Sequence, residues 1–534
     1  MRRGEAVLTE DSPGRHAPNR LSPIGLSLWR RWHIARVAAT AWYERDRDNH
    51  AMLILLALFV VVWTSFQIIV FSAIGLNDDL TEVFVWSQHP AAGYAKHPPL
   101  AALIAAAWFR VFPRADWSFD LLAMVNSAVA LFAVDCIARR YVSGDKRLLV
   151  FFLLLLTPFY QFHAQRFSPN VILLSTWPIA TYCFLRAYET RALAWAALTG
   201  ITAALAILGK YYSIYLIAGF VVAAFWHPRR FEYLRSASPW VSVLCGLAVL
   251  APHLHWLATF GPTTVRYAIS VHASHSITDE VWATLEYAVG GVAYVLIPIG
   301  AYVATVRPDR RMLAAALWPD DPDHRMLVVL LMVPLVAPLL TAPIIGVKLT
   351  SLWTMSGWFL LPIVLLAPAD IKLTRAAALR VPVAVALITA AVFVAAPVIA
   401  WQNFVRESKH GRAYYHVASA ELTAAWRTTM RRPLTMVAGD VALTHAVGFY
   451  SPDHPDTGPD FSQVNAPWIS DDRRARQGWA GICFAEDRGC IDEIQRSAAG
   501  ASGVVRVEKE LTVSFFGIDK ASVPVVFLLV PPQR

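Results

Sequence analysis

At 534 residues the chain is long enough for three or four soluble domains. Its composition excludes them: 56% of residues are hydrophobic and 16% charged, where a soluble surface takes roughly 25% charged residues. What remains is a polytopic α-helical membrane protein with aqueous parts. Lys and Arg number 47 against 38 Asp and Glu, a net charge of +9. In such a protein this is loop charge on the cytoplasmic side, not a nucleic-acid footprint. Of five Cys, Cys136, Cys183 and Cys245 fall in apolar runs and read as small core residues.

Residues 1–50 form a basic segment that the Lys/Arg bias places in the cytoplasm. Within it Leu28–Trp42 interleaves Trp with Arg and reads as an interfacial helix. Residues 52–72 carry no charge and can cross a hydrocarbon core of about 30 Å. Further apolar runs lie near 119–138, 148–163, 170–187, 192–208, 211–226, 239–257, 286–305, 326–345, 351–368 and 379–400. A shorter one, 98–113, holds Arg110 in its last turn. The basic loops (Arg139–Arg140 with Lys146–Arg147, Arg186–Arg191, Pro228–Arg235, Arg307–Arg311 with Arg325, Lys372–Arg380) alternate only if 98–113 lies at the outer face. That gives eleven crossings, within an expected range of about 11–13 membrane helices. A membrane domain 51–400 is then followed by an outer tail, 401–534. Turn formers, β-like runs at Leu434–Ala438 and Val523–Val530, and a helical run at Val417–Met430 make the tail a small periplasmic α/β domain. Cys483 and Cys490 lie in it and are close enough in sequence to bridge a short loop in an oxidising compartment.

The outer loops hold the unusual chemistry. In the first, 73–97, Asp78, Asp79 and Glu82 place three carboxylates within five residues. On a helix Asp79 or Asp78 shares a face with Glu82, and clustered acids raise one another's pKa, which suits a proton acceptor or a cation site. One of Asn77 and Asp78 is expected to cap a helix starting near Leu80. Lys96 and His97 precede Pro98-Pro99, which fixes an extended entry to the next helix. Arg166, Lys210 with Tyr211, Arg266 and Lys348 follow in later outer loops. Lys210 and Lys348, each between long apolar runs, either snorkel or bind an anion. His253, His255, His272 and His275 lack the spacing of a metal-binding helix motif, and no metal site is assigned. Acids and cations gathered at one membrane face are what transfer from a lipid phosphate needs.

The pattern Asp79…Trp86-Ser-Gln-His…Gly93-Tyr-x-x-His97-Pro-Pro-Leu100 resembles the first outer loop of the bacterial family 39/83 glycosyltransferases. These are GT-C enzymes related to protein O-mannosyltransferases, the aminoarabinose transferase of lipid A and the rhizobial lipopolysaccharide galacturonosyltransferases. Arg166-Phe-Ser-Pro-Asn170, Gly209-Lys-Tyr211, Gly346-Val-Lys…Trp353, Phe449-Tyr-Ser-Pro-Asp…Pro455 and Pro467-Trp468 follow in the family's order. The resemblance implies the GT-C fold, a polyprenyl-phosphate-linked sugar donor, and transfer with inversion on the periplasmic face of the bacterial inner membrane. The implied acceptor is lipopolysaccharide, lipid A or another glycolipid. Asp79 falls on the family's essential acid, and Lys210 on a basic position near the lipid phosphate. Two departures stand out: Lys96 where the family usually has an acid before His-Pro-Pro, and Asn170 where it usually has Asp. They weaken any divalent-cation site and leave Asp78 or Glu82 as the second carboxylate. No cofactor is required, and no Gly-rich phosphate loop for a nucleotide sugar is present. The alternatives are a lipid-linked sugar binding protein or flippase, and a protein O-glycosyltransferase. Transporters tend to place charges mid-membrane within repeats, and neither feature is read here.

Overall fold

A computed structural model describes residues 50–273 and 276–533. The expected interfacial helix Leu28–Trp42 and His275 lie outside the described residues. The chain divides into two compact units, Met1–Leu55 and Leu56–Arg534; apart from residues 50–55 of the first helix, the features below belong to the second.

The apolar runs fold as helices because a membrane interior offers their backbones no other hydrogen-bond partners. Among the described residues, six helical stretches are long and apolar enough to cross a bilayer: His50–Val70, Asp116–Ala138, Ser238–Phe260, Thr278–Val306, Pro322–Ile345 and Arg375–Arg406. Leu193–Gly209 and Tyr211–Trp226 are apolar but shorter. The eleven runs are therefore not eleven uniform helices. The run 148–163 ends its first helix at Leu154, and Pro158 opens a wide turn over Phe159–His163. A proline removes a donor and disfavours helical backbone in the residue before it. The run 351–368 consists of tight turns, Ser351–Ser356 and Trp358–Leu360, and a short helix Leu361–Leu366. Its Pro362 sits in the first turn, where a missing N–H costs nothing. The segment 98–113 forms only Leu100–Trp108. Nine residues rise about 14 Å, too little to cross, and Trp108 donates its indole N–H to Ser118 O at 3.1 Å as the chain turns back.

Small residues bring two of these helices into backbone contact. A Cβ on Gly200 would lie 2.0 Å from Ser242 O, so Leu193–Gly209 and Ser238–Phe260 cross where a side chain has no room.

The C-terminal part is a small sheet domain. Strands β1 (Met436–Gly439), β2 (Asp456–Thr457), β3 (Trp479–Phe484), β4 (Val505–Leu511) and β7 (Val523–Val530) form one sheet in the order β2-β1-β3-β7-β4, with the short pair β5 (Ser514–Phe515) and β6 (Ile518–Asp519) separate from it. β1 pairs in parallel with β2 and β3, and β7 is antiparallel to β3 and β4. β7 reads as an unbroken apolar run because both its faces are covered. Val525, Phe527 and Leu529 pack under helices Tyr415–Met430 and Val441–Tyr450, while Val526, Leu528 and Val530 face Ile491 and Ile494 of helix Arg488–Ser497. Cys483 and Cys490 are bonded, tying the end of β3 to the start of that last helix.

Candidate active site

The first outer loop builds the site around helix Asp78–Gln88. Asn77 is its cap: the side-chain oxygen accepts the Asp79 N–H at 3.1 Å. This leaves Asp78 and Asp79 in the first turn, where the helix dipole favours negative charge. The opposite face is buried, with Phe84 meeting Phe109 and Phe449 edge-on.

The three carboxylates, one cluster in sequence, have three different surroundings. Asp78 accepts the Tyr415 hydroxyl at 2.6 Å. Glu82 accepts from Lys96 Nζ at 2.5 Å. Asp79 reaches solvent and has no side-chain hydrogen bond or ion pair among the described residues. The protein around it thins the water and raises its carboxyl above the usual carboxylate range; Arg166 is the main charge opposing this, Asp78 adds to it, and Lys96 and Lys210 also oppose it. Glu82 is raised by burial as well, against the pull of Lys96. Burial disfavours the Lys96 ammonium, but Glu82 outweighs this and holds its pKa above the ordinary lysine value. The cation that stands at the usual acid position is thus neutralised within its own loop.

The rest of the loop is clamped. A Cβ on Gly93 would lie 2.5 Å from the Trp256 ring, so only glycine lets the chain lie against helix Ser238–Phe260. Thr264 donates to Tyr94 O at 2.6 Å. His253 Nδ1 lies 2.6 Å from Ala92 O, an acceptor only, so Nδ1 carries the proton. Its Nε2 then accepts from the Tyr211 hydroxyl at 2.7 Å. With both nitrogens engaged, His253 is a strut for the loop. His97 meets Trp86 and Tyr267 edge-on, and burial, with Lys210 and Lys96 nearby, pushes its pKa down to about 3; it is a neutral imidazole.

Lys210 ends helix Leu193–Gly209 and lies at the turn before the next helix. Its ammonium donates to Asn170 Oδ1 at 2.5 Å and sits 4.3 Å from the centre of the Trp353 ring. Burial lowers its pKa to about 7, with Asp79 the charge opposing that drop. Lys348 is 3.5 Å from Asp279, and its N–H bonds His272 O at 2.7 Å, so it is held by the 272–279 segment. Arg266 is exposed on the helix Thr263–Ser270, beside Tyr267. Asp79, Arg166, Lys96 and Lys210 therefore share one electrostatic neighbourhood; Lys348 and Arg266 stand apart from it. Among the described residues no group of three His, Cys, Asp or Glu side chains is arranged to hold a metal ion.

The C-terminal part supplies partners for the loop to which sequence reasoning gave no such role, Tyr450 of the Phe449-Tyr-Ser-Pro-Asp motif included. Besides Tyr415, Tyr450 accepts the Leu76 N–H at 2.7 Å, Arg412 O accepts from Gly75 N–H at 3.0 Å, and Asp456 bonds His89 at 2.7 Å. Their partners lie hundreds of residues upstream, so no local spacing signals them.

A layer of apolar helices, an acid helix at one end and a small sheet domain make up a GT-C fold. Comparison with known proteins agrees. ArnT from Cupriavidus metallidurans in the apo state superposes with a TM-score of 0.57 at 13% identity, covering 92% of this chain and 98% of that one. The same protein bound to undecaprenyl phosphate gives 0.56 at 13% identity, covering 90% and 98%. Residues 96–256 match the family described as dolichyl-phosphate-mannose-protein mannosyltransferase. That stretch includes Lys96, His97, Arg166, Lys210 and Tyr211 and begins after the three acids. The lipid A galacturonosyltransferase RgtD of Rhizobium johnstonii is 27% identical over 201 residues, 36% of this chain. The match spans 42% of that relative's length. The chain thus shares the fold of ArnT over nearly its whole length and resembles that mannosyltransferase family over residues 96–256.

Proposed function

We propose that the chain is a membrane glycosyltransferase that moves a sugar from a polyprenyl-phosphate donor to a glycolipid acceptor of the envelope, with inversion, on the periplasmic face of the bacterial inner membrane. One observation carries the reading. Asp79, a carboxylate with no side-chain partner among the described residues, shares its neighbourhood with a part-buried lysine, Lys210, whose only hydrogen-bond acceptor among them is a neutral amide, Asn170. The acceptor hydroxyl attacks the anomeric carbon from the side opposite the phosphate. The new C–O bond forms as the C–O bond to phosphate breaks. The proton passes to Asp79, and the electron pair leaves on the polyprenyl phosphate. An Asp79 pKa raised by its surroundings favours proton acceptance near neutral pH. Lys210 meets the phosphate charge in a dry setting where a charged hydrogen bond is strong. Arg166 adds positive charge on the Asp79 side.

RgtD and ArnT support the substrate classes: the first is named for lipid A and galacturonosyl transfer, the second is solved with undecaprenyl phosphate. The Lys and Arg alternation between loops and the Cys483–Cys490 bond support the orientation. The test is mass spectrometry of envelope glycolipids from a deletion strain complemented with the natural chain or with Asp79→Asn. A sugar mass restored only by the natural chain is expected. A glycolipid profile identical in all strains would refute the reading.

A further inference from the structure

The sheet domain carries an apolar tip that its own fold does not cover. Strands β5 and β6 pair as a hairpin whose turn is Phe516-Gly517, with φ of 50° and 76°. Such a turn favours Asn, Asp or Gly at its first position, and a Phe there holds a left-handed backbone at a steric cost. Phe516 is nevertheless 79% exposed, and Ile518 beside it 42%. Among the described residues the only ring that Phe516 meets is that of its neighbour Phe515, at 4.4 Å.

The hairpin's place in the fold says what covers this tip. At its base, Lys520 donates to Phe404 O at 2.7 Å and to Glu407 O at 2.9 Å, carbonyls at the end of the spanning helix Arg380–Arg406. The Tyr414 hydroxyl, donating to Ala521 O at 2.7 Å, fixes the base from another side. Nearer the tip, the Phe515 ring lies 5.5 Å from that of Phe404. The carbonyls of a helix point toward its C-terminal end, while its side chains lean toward the N-terminal end. The hairpin therefore runs from the helix end back along the helix, toward the membrane. On that helix Val394, Val398, Trp401 and Val405 are exposed at the spacing of one face, and the stripe ends in the turn that Lys520 grips. Trp401 and the exposed Arg406 are residues of the headgroup level. The tip thus lies where a lipid-covered helix surface ends.

We propose that the β5–β6 hairpin inserts its tip, Phe516 with Ile518, into the lipid surface beside helix Arg380–Arg406, and that phospholipid is the partner of this face. Apolar side chains at the turn gain burial at the boundary of headgroups and acyl chains. The grip of Lys520 and the inserted tip together set the height of the sheet domain over the bilayer. Through Tyr415 and Tyr450 the same C-terminal part holds the acid loop. The lipid contact is a support for that loop, and it stands whatever reaction the site performs.

The test places benzoylphenylalanine, a photo-crosslinking analogue of phenylalanine, in place of Phe516 in the full chain, held in nanodiscs of phosphatidylethanolamine and phosphatidylglycerol. The control position is Val505, exposed at the far end of β4 and about 20 Å along the strand from Leu511, where the chain leaves for the hairpin. Mass spectrometry is expected to find a phospholipid adduct at Phe516 and none at Val505. A crosslink between two copies of the chain in place of the lipid adduct, equal lipid capture at both positions, or no adduct at Phe516 would each overturn the proposal. Phe516→Cys carrying an environment-sensitive fluorophore gives a second reading, with the labelled natural chain measuring the background from Cys136, Cys183 and Cys245. Its emission should be quenched by lipids that bear a nitroxide near the headgroup, and a signal untouched by them would sink the proposal as well.

Discussion

Two lysines flank Asp79, and the regions that hold them answer their charges in opposite ways. In the first outer loop Lys96 meets a carboxylate, Glu82, at 2.5 Å, and its pKa is held above the lysine norm. At the turn between Leu193–Gly209 and Tyr211–Trp226, Lys210 meets an amide, Asn170, also at 2.5 Å, and an indole face; its pKa falls to about 7. The first cation is already neutralised and serves to fix the loop. The second is desolvated with no carboxylate in hydrogen-bond contact among the described residues, an arrangement that costs energy in the free protein and that an arriving anion would relieve. Proximity to the acid alone does not distinguish the two residues; the identity of the hydrogen-bond acceptor does.

This contrast can be tested at five points, from the largest effect to the smallest. Asp79→Asn should lower transfer by about 10²–10⁴-fold with little change in melting temperature, because it removes the proton acceptor at nearly constant volume. Rates in detergent or nanodiscs check it; near-normal turnover would move the base to Asp78. Lys210→Ala should weaken binding of the polyprenyl-phosphate donor by roughly 1.5–3 kcal/mol, measured by calorimetry or a competition assay. Asn170→Asp makes Lys210 resemble Lys96. The new carboxylate should compete with phosphate for the ammonium and weaken donor binding about tenfold, in spite of a more highly charged lysine. The pH dependence follows from the same contrast. A lysine pKa lowered to about 7 means that charge is present below that pH and lost as pH rises through it. Donor affinity should therefore be greatest below pH 7 and fall by up to about tenfold per unit above it, and Lys210→Arg should flatten the profile. Lys96→Met should change donor affinity about twofold at most. It leaves Glu82 without its partner, and a stability loss of about 1 kcal/mol, discounted for the exposure of Lys96, should appear in thermal unfolding. A large loss of donor affinity in Lys96→Met would erase the distinction between the lysines.

Much of this was legible in the sequence. The membrane class followed from composition, and the failure of 98–113 to cross followed from charge alternation. The Asp79 loop followed from residue types and a motif, and Lys210 from its place between two apolar runs. The pairings were not legible. Whether Glu82 serves as a second free carboxylate or as a partner for Lys96 depends on how a 14-residue excursion folds back, and three acids on one short helix looked alike until their neighbours were known. Arg166, Arg266 and Lys348 looked equivalent as outer cations, but only a fold brings the first to Asp79 and gives Lys348 to Asp279. The breaks in 148–163 and 351–368 show that hydropathy counts apolar residues without seeing where proline ends a helix.

The hydrogen bond from Tyr415 to Asp78 joins residues 337 positions apart. At ribosomal rates of about 5–20 residues per second, the acid loop emerges roughly 20–70 s before the tyrosine that holds it. During that interval the nascent protein can insert its early helices while its acid loop still lacks the struts at Tyr415, Tyr450 and Asp456. On the proposed function, the acid loop becomes competent only once the sheet domain that carries these struts has folded, and a chain clipped before that domain is expected to occupy the bilayer without consuming lipid-linked sugar.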